Sequence, residues 1–168
     1  MKPLVREAID INKELDGVIF IGAIAVYFHT KTMRESQDID FAMVKPISDK
    51  ELEEKDYKTR QEGRKQVTRT PRGVKIDIFS HDVSGIPINV IKDTSVEIQE
   101  GKAKIRVIGL EALLVAKHRA QRDQDVEDIK ELVRRKHKSI NYEILRQISQ
   151  NDTEYEQIMT AINFWKNS

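Results

Sequence analysis

Apolar residues change their spacing part-way along this chain. Before residue 108 they come in short runs bounded by turn formers. Val18-Ile19-Phe20-Ile21 stops at Gly22, and Ile39-Asp40-Phe41-Ala42-Met43 stops before Pro46. Val74 to Phe79 and Lys104 to Ile108 alternate apolar with polar positions. β-Branched and aromatic residues in such runs predict strands. Helical spacing predicts a helix over Leu4, Ala8, Ile11 and Leu15, another from Ala25 to His29, and a third after Ser48. Ser48 is an N-cap candidate whose capping box closes with Glu51 three residues later. From Gly109 onward the spacing is helical only: Leu110, Leu113, Leu114 and Lys117 share a face, as do Val126, Ile129, Leu132 and Val133. Ile144, Leu145 and Ile148, then Ile158, Met159 and Ile162, continue the pattern. Thr70-Pro71-Arg72-Gly73 reads as a turn leading into the strand around Asp77. The pattern therefore predicts an α/β (α+β) core over 1–107, with a mixed, mostly antiparallel sheet flanked by helices. A helical part over 108–168 follows.

A chain of 168 residues is long enough for one working hydrophobic core. It has no cysteine, which removes disulfides and thiolate metal sites. No apolar run reaches the roughly 20 residues needed to span a bilayer. The first residues carry scattered charges in place of a signal-peptide apolar block, so a cytoplasmic location is the default expectation. The net charge of +1 is uninformative, but its distribution is not. Lys55 to Lys75 holds eight basic and two acidic residues, a local net of +6. Such a run is either a solvated surface or a patch facing a polyanion such as RNA.

The chemistry concentrates in two stretches. Asp38 and Asp40 lie two apart on a strand, so their carboxylates leave the same face. Carboxylates that close repel one another, and a divalent cation with a preference for hard oxygen ligands reverses the balance. An Asp-x-Asp alone arises often by chance. Here Gly22 ends one strand and opens a helix, which leaves backbone N–H groups and a positive dipole end available to a triphosphate. Asp77 sits between Ile76 and Ile78 and so points away from the core, together with Lys75 and Phe79. A third acid from another strand suits two-metal phosphoryl chemistry. Arg34 and Ser36 lie just before the acid pair and offer a charge and a hydroxyl.

The series Gly22-Ala23, Arg34-x-Ser36-x-Asp38-Ile39-Asp40 and an isolated strand Asp77 resembles the DNA polymerase β-type nucleotidyltransferase superfamily. The segment Leu113 to Ile129 is similar to its small prokaryotic group of AbiEii-type toxins and minimal nucleotidyltransferases. The resemblance spans roughly residues 17 to 133. It implies a nucleotidyltransferase that moves NMP from an NTP such as ATP to an acceptor hydroxyl and releases pyrophosphate. It implies two Mg²⁺ ions, or Mn²⁺ in their place, on Asp38, Asp40 and Asp77. It also implies nucleotide contacts from Gly22, Ala23, Arg34, Ser36, Lys117 and Arg122, with Lys117 reaching the phosphates. RNA or tRNA is a candidate acceptor, and an antitoxin protein a candidate partner. Ala23 departs from the family's usual second glycine or serine, keeping the N–H but offering no hydroxyl.

Several residues have a plainer reading. Lys117, Arg119 and Arg122 could pair with Glu111, Asp125 and Asp128 along helix surfaces. Asp128 suits a buried partner of Arg122 or Lys117 better than a catalyst. The four histidines lack ligand spacing. Trp165 reads as an anchor for the last helix. The alternative to an enzyme is a non-catalytic nucleotide- or RNA-binding protein on the same fold.

Overall fold

The computed structural model describes all 168 residues. Helix α1 (Pro3–Glu14) starts with proline in its first turn, where the missing N–H costs nothing, and buries Val5, Ala8 and Ile11. Strand β1 (Val18–Ile21) is buried along its whole length and turns at Gly22 into α2 (Gly22–Thr30). Strand β2 (Asp38–Met43) carries the acid pair, and α3 (Asp49–Glu54) follows. The Ser48 hydroxyl caps α3 by accepting from the Glu51 N–H at 3.1 Å, as its sequence predicts.

The basic run folds into a hairpin, β3 (Lys58–Glu62) and β4 (Lys65–Arg69), and Thr70 to Gly73 then turn the chain into β5 (Lys75–Phe79). That turn closes with the Gly73 N–H on the Thr70 carbonyl at 2.9 Å. Two short strands, β6 (Asp82–Val83) and β7 (Ile86–Pro87), precede α4 (Ile88–Thr94). Strands β8 (Val96–Glu100) and β9 (Ala103–Val107) complete the sheet.

The seven-stranded sheet runs β3-β4-β5-β2-β1-β9-β8. β1 is parallel to β9 and β2 is parallel to β5, while the other four pairings are antiparallel. The sheet is therefore mixed and mostly antiparallel.

After Val107 the chain is helical: α5 (Leu110–Ala120), α6 (Asp123–Lys136), a 3₁₀ turn (His137–Ser139), α7 (Tyr142–Ile148) and α8 (Asp152–Trp165). Asn141 and Asn151 cap the last two helices by accepting backbone N–H groups. One apolar cluster of 39 buried residues joins sheet and helices, running from Val5 through Phe20 and Phe41 to Ile162. Its continuity makes α5 a wall of the core, since Leu113, Leu114 and Val115 are each 1% exposed or less. Trp165 packs on the core's margin with the Lys130 ammonium 5.1 Å from its ring centroid, which holds the end of α8 against α6. No helix is long and apolar enough to cross a membrane.

Candidate active site

The parallel pairing of β2 with β5 sets Asp40 directly opposite Asp77, and Asp38 opposite Lys75. Partners in register share a sheet face, so one face carries all three acids and Lys75. The core takes the alternate residues Ile39 and Ile76, both nearly fully buried. Asp40 is the most enclosed acid of the three. Burial, then the negative charges of Asp77 and Asp38, push its carboxyl up to about 6, while the Lys117 charge works the other way. Asp38 has a salt-bridge partner in Lys75, at 3.7 Å. No three acidic or histidine side chains converge closely enough to cage a cation by themselves. What is present is an open row of carboxylates with too little positive charge beside Asp40.

Gly22 shapes the floor of this row. Its φ is +66°, and a Cβ built on it would lie 2.6 Å from Asp40 Oδ2. Both the backbone conformation and the approach of the carboxylate require glycine. Helix α2 begins here without a side-chain cap, so no capping side chain takes up its first-turn N–H groups, those of Gly22 and Ala23 among them.

A second charged group is built by the segment between α2 and β2 together with α5 and α6. Lys117 inherits the core-facing stripe of α5 and is 5% exposed. Its ammonium meets Asp128 at 2.8 Å and Asp125 at 3.1 Å. Arg34 joins the cluster through its Nε, 3.1 Å from Asp128, and Arg122 through its Nε, 2.7 Å from Asp125. An alternating chain of five charges thus ties the approach to β2 to helices α5 and α6. Asp128 is a buried ion-pair partner, as its sequence context suggests. The hydrogen bond to Asp125 holds the Arg122 guanidinium above its usual pKa, partly opposed by burial, with a further contribution from the Asp40 charge. Ser36 donates to the Asp38 carbonyl at 3.4 Å, so its hydroxyl stays at the strand entrance.

The structure corrects two pairings expected along the helix surfaces. Glu111 accepts from the Asn141 N–H at 2.9 Å and takes no part in the cluster. Arg119 turns away to Glu154, at 2.8 and 3.0 Å, and to the Ser84 carbonyl. Lys117, expected to reach phosphates, has both nearest oxygens supplied by the protein. The basic run lies between the strands that carry Asp38, Asp40 and Asp77, which ties it to the site, but sequence alone does not order its cations there. Register does: Lys58 pairs with Arg69 across the hairpin, Arg69 with Lys75, and Lys75 with Asp38. This row of cations runs up to the acids on their own sheet face. Alternation of Lys75 and Asp77 within one strand was the signal available for the nearest of them.

A family model described as a nucleotidyltransferase of unknown function (DUF6036) matches residues 2–165. No curated protein matches the chain. Among solved structures, the fold is similar to an antigenic nucleotidyltransferase-like protein from Paracoccidioides brasiliensis, at TM-score 0.58 and 12% identity over 92% of this chain and 83% of that one. JHP933 from Helicobacter pylori aligns at TM-score 0.56 and 15% identity, over 98% of this chain and 90% of its own. The antibiotic-resistance factor ANT(2'')-Ia aligns at TM-score 0.56 and 10% identity, over 96% and 94%. At these identities the likeness is one of fold.

Proposed function

The chain belongs to this nucleotidyltransferase family of unknown function, and on that footing we propose that it transfers NMP from an NTP to an acceptor hydroxyl. The observation that carries the reading is the juxtaposition of Asp40 with Asp77 on neighbouring strands, beneath the start of α2 at Gly22. Asp38, Asp40 and Asp77 would hold two Mg²⁺ ions, or Mn²⁺. A half-buried carboxyl pushed up by desolvation and by two neighbouring acids suits such a donor set, because a divalent charge removes the repulsion. When bound, these ions neutralise phosphate charge and acidify an acceptor hydroxyl.

The chain's own groups position and neutralise. The N–H groups of Gly22 and Ala23 receive phosphate oxygens at the positive end of α2. Arg34 and Arg122 offer guanidinium forks to the same phosphates, with Ser36 beside them. Lys117 contributes through its charge, and touches phosphate only by exchanging Asp125 or Asp128 for it. The acceptor oxygen forms a bond to the α-phosphorus while the bond from that phosphorus to the bridging oxygen breaks, and pyrophosphate departs. Asp77, exposed at the mouth, takes the hydroxyl proton. The catalytic contribution is mainly alignment and charge.

The acceptor we favour is RNA, because the cationic row Lys58–Arg69–Lys75 leads to the acids on one face. A non-catalytic nucleotide-binding role is the competing reading, favoured by the double engagement of Lys117. Each labelled NTP, with Mg²⁺ or Mn²⁺, is to be offered total RNA and total protein while pyrophosphate is followed. Metal-dependent label transfer matched by pyrophosphate supports the enzyme. NTP binding without transfer to any acceptor supports the competing reading.

A further inference from the structure

A second cleft, of about 530 Å³, opens at the far end of the central strands. It wraps the end of the sheet: Ile19 and Val44 reach it from the face that carries the acids, and Val18 from the opposite face. Val44 follows Asp40 by four residues, which along an extended strand is about 13 Å. The two sites are therefore separate, with Ile21 and Ala42 closing the sheet between them.

Four cations stand around this cleft: Lys45, Lys92, Lys104 and Arg106. None of them is in an ion pair. Glu97 faces Arg106 across the β8–β9 pairing, yet the guanidinium is held by Ser95, whose carbonyl and hydroxyl accept from Nη1 at 3.4 Å. Arg106 is thus fixed by neutral acceptors and keeps its charge for another partner. The rim is stitched as well as charged. Asn12 of α1 donates to the Lys104 carbonyl at 3.1 Å, which locks one wall to the sheet, while the Ser95 contact locks the end of α4 to it. The floor is apolar, formed by Leu15, Val18 and Ile19, each 3% exposed or less. Asp16 and Glu97 are the two acids on the rim.

Four unpaired cations over an apolar floor, with two carboxylates able to accept from hydroxyls, match one ligand chemistry. We infer that this cleft binds a small phosphate ester whose body is hydroxylated and partly apolar, such as a nucleoside monophosphate. Its phosphate would lie among Lys92, Lys104 and Arg106, and its ring against the half-buried Val44 above that floor. The cations gain a dianion at short range, and the floor removes ring surface from water.

The probes are AMP, ribose 5-phosphate and inorganic phosphate, titrated calorimetrically into the full chain with EDTA present. The comparison proteins are Lys92→Ala/Lys104→Ala, whose side chains have no partner to lose, and Arg122→Ala at the acid site. AMP is expected to bind in preference to inorganic phosphate. The Lys92→Ala/Lys104→Ala protein should bind it at least tenfold more weakly with an unchanged melting curve, whereas Arg122→Ala should bind it as the parent does. Absence of AMP binding at millimolar concentration would overturn the proposal. So would equal binding of AMP and inorganic phosphate, or a loss of binding that follows Arg122→Ala and spares the lysine variant. None of these outcomes depends on nucleotidyl transfer.

Discussion

Gly22 and Asp40 leave no room for a side chain between them: the carboxylate oxygen occupies the place where a Cβ at position 22 would come to within 2.6 Å. The positive φ of +66° adds backbone strain to any replacement. Gly22→Ala should therefore cost about 1–2 kcal/mol and lower Tm by roughly 2–8 °C. It should also displace Asp40, so NTP turnover should fall more than tenfold in the folded fraction. A Gly22→Ala protein with parental Tm and turnover would show that the contact between residue 22 and the acid row is relaxed in solution.

Asp40→Asn tests the acid row directly. The change keeps the shape and removes the charge that burial and two neighbouring acids disfavour. Without divalent metal the variant should melt at or above the parent temperature, and transfer should drop to background. Near-parental turnover would remove Asp40 from the proposed chemistry.

Lys117→Ala should act first on stability. It strips the shared cation from Asp125 and Asp128, which are 0% and 4% exposed. Arg34 and Arg122 remain to compensate in part, so the expected cost is about 2–3 kcal/mol. Thermal melting reads this directly. An unchanged Tm accompanied by weakened NTP binding would instead make Lys117 a phosphate ligand with little structural role.

Arg72 gives a pH signature. Its guanidinium lies 2.9 Å from Glu7 and 2.7 Å from Glu14, tying the turn before β5 to α1. The hydrogen bond from Arg72 holds the Glu14 carboxyl below its usual range, partly opposed by burial. A carboxyl depressed on folding contributes stability above its unfolded pKa, and that contribution disappears as pH falls through the folded value. Arg72→Ala should thus be destabilised at pH 7 by about 1–2 kcal/mol, allowing for solvent screening. The gap from the parent should narrow steadily as pH is lowered below about 4. A gap independent of pH would mean that packing, and not charge, sets the effect.

The hairpin carries the acceptor prediction. Arg60 and Lys65 are exposed and are in no ion pair, unlike Arg69 with Glu62. Each phosphate contact adds about 0.7–0.9 to the slope of log affinity against log salt. Arg60→Glu/Lys65→Glu should lower the slope for RNA by about 1.5 and leave NTP affinity unchanged without RNA. A parental slope would detach the hairpin from RNA binding.

Much of this arrangement was legible in the sequence because it rests on local rules. The strands at Val18 and Ile39 announced themselves as short apolar runs bounded by turn formers, that at Val74 by alternation, and Ser48 with Glu51 announced α3. The outward aim of Asp77 followed from its buried neighbours. The rest depended on non-local pairing. Alternation gave the strand of Arg106, but its partner β8, mostly exposed around Glu97, carries no such pattern, and nothing nearby marks it as a sheet edge. The fate of Lys117 turned on where α6 lies, since Asp125 and Asp128 reach it only when the two helices pack. The hairpin's place near the acids followed from its position between their strands, but the order Lys58–Arg69–Lys75 came only from register.

The parallel pairing of β2 with β5 has an evolutionary reach. The two strands hold Asp40 and Asp77 side by side, yet the chain between them wanders out through α3 and the exposed hairpin before returning. Most of that excursion is itself fixed, since Leu52 and Tyr57 belong to the core and β4 pairs with β5. Its exposed tip, Glu62 to Lys65, is not, and loop-closure cost rises only logarithmically with length, so doubling a loop there costs about 0.6 kcal/mol. The tip is therefore a place where segments can be inserted or recharged at little thermodynamic expense, so a lineage could alter what is brought to the acids without rebuilding the acids themselves.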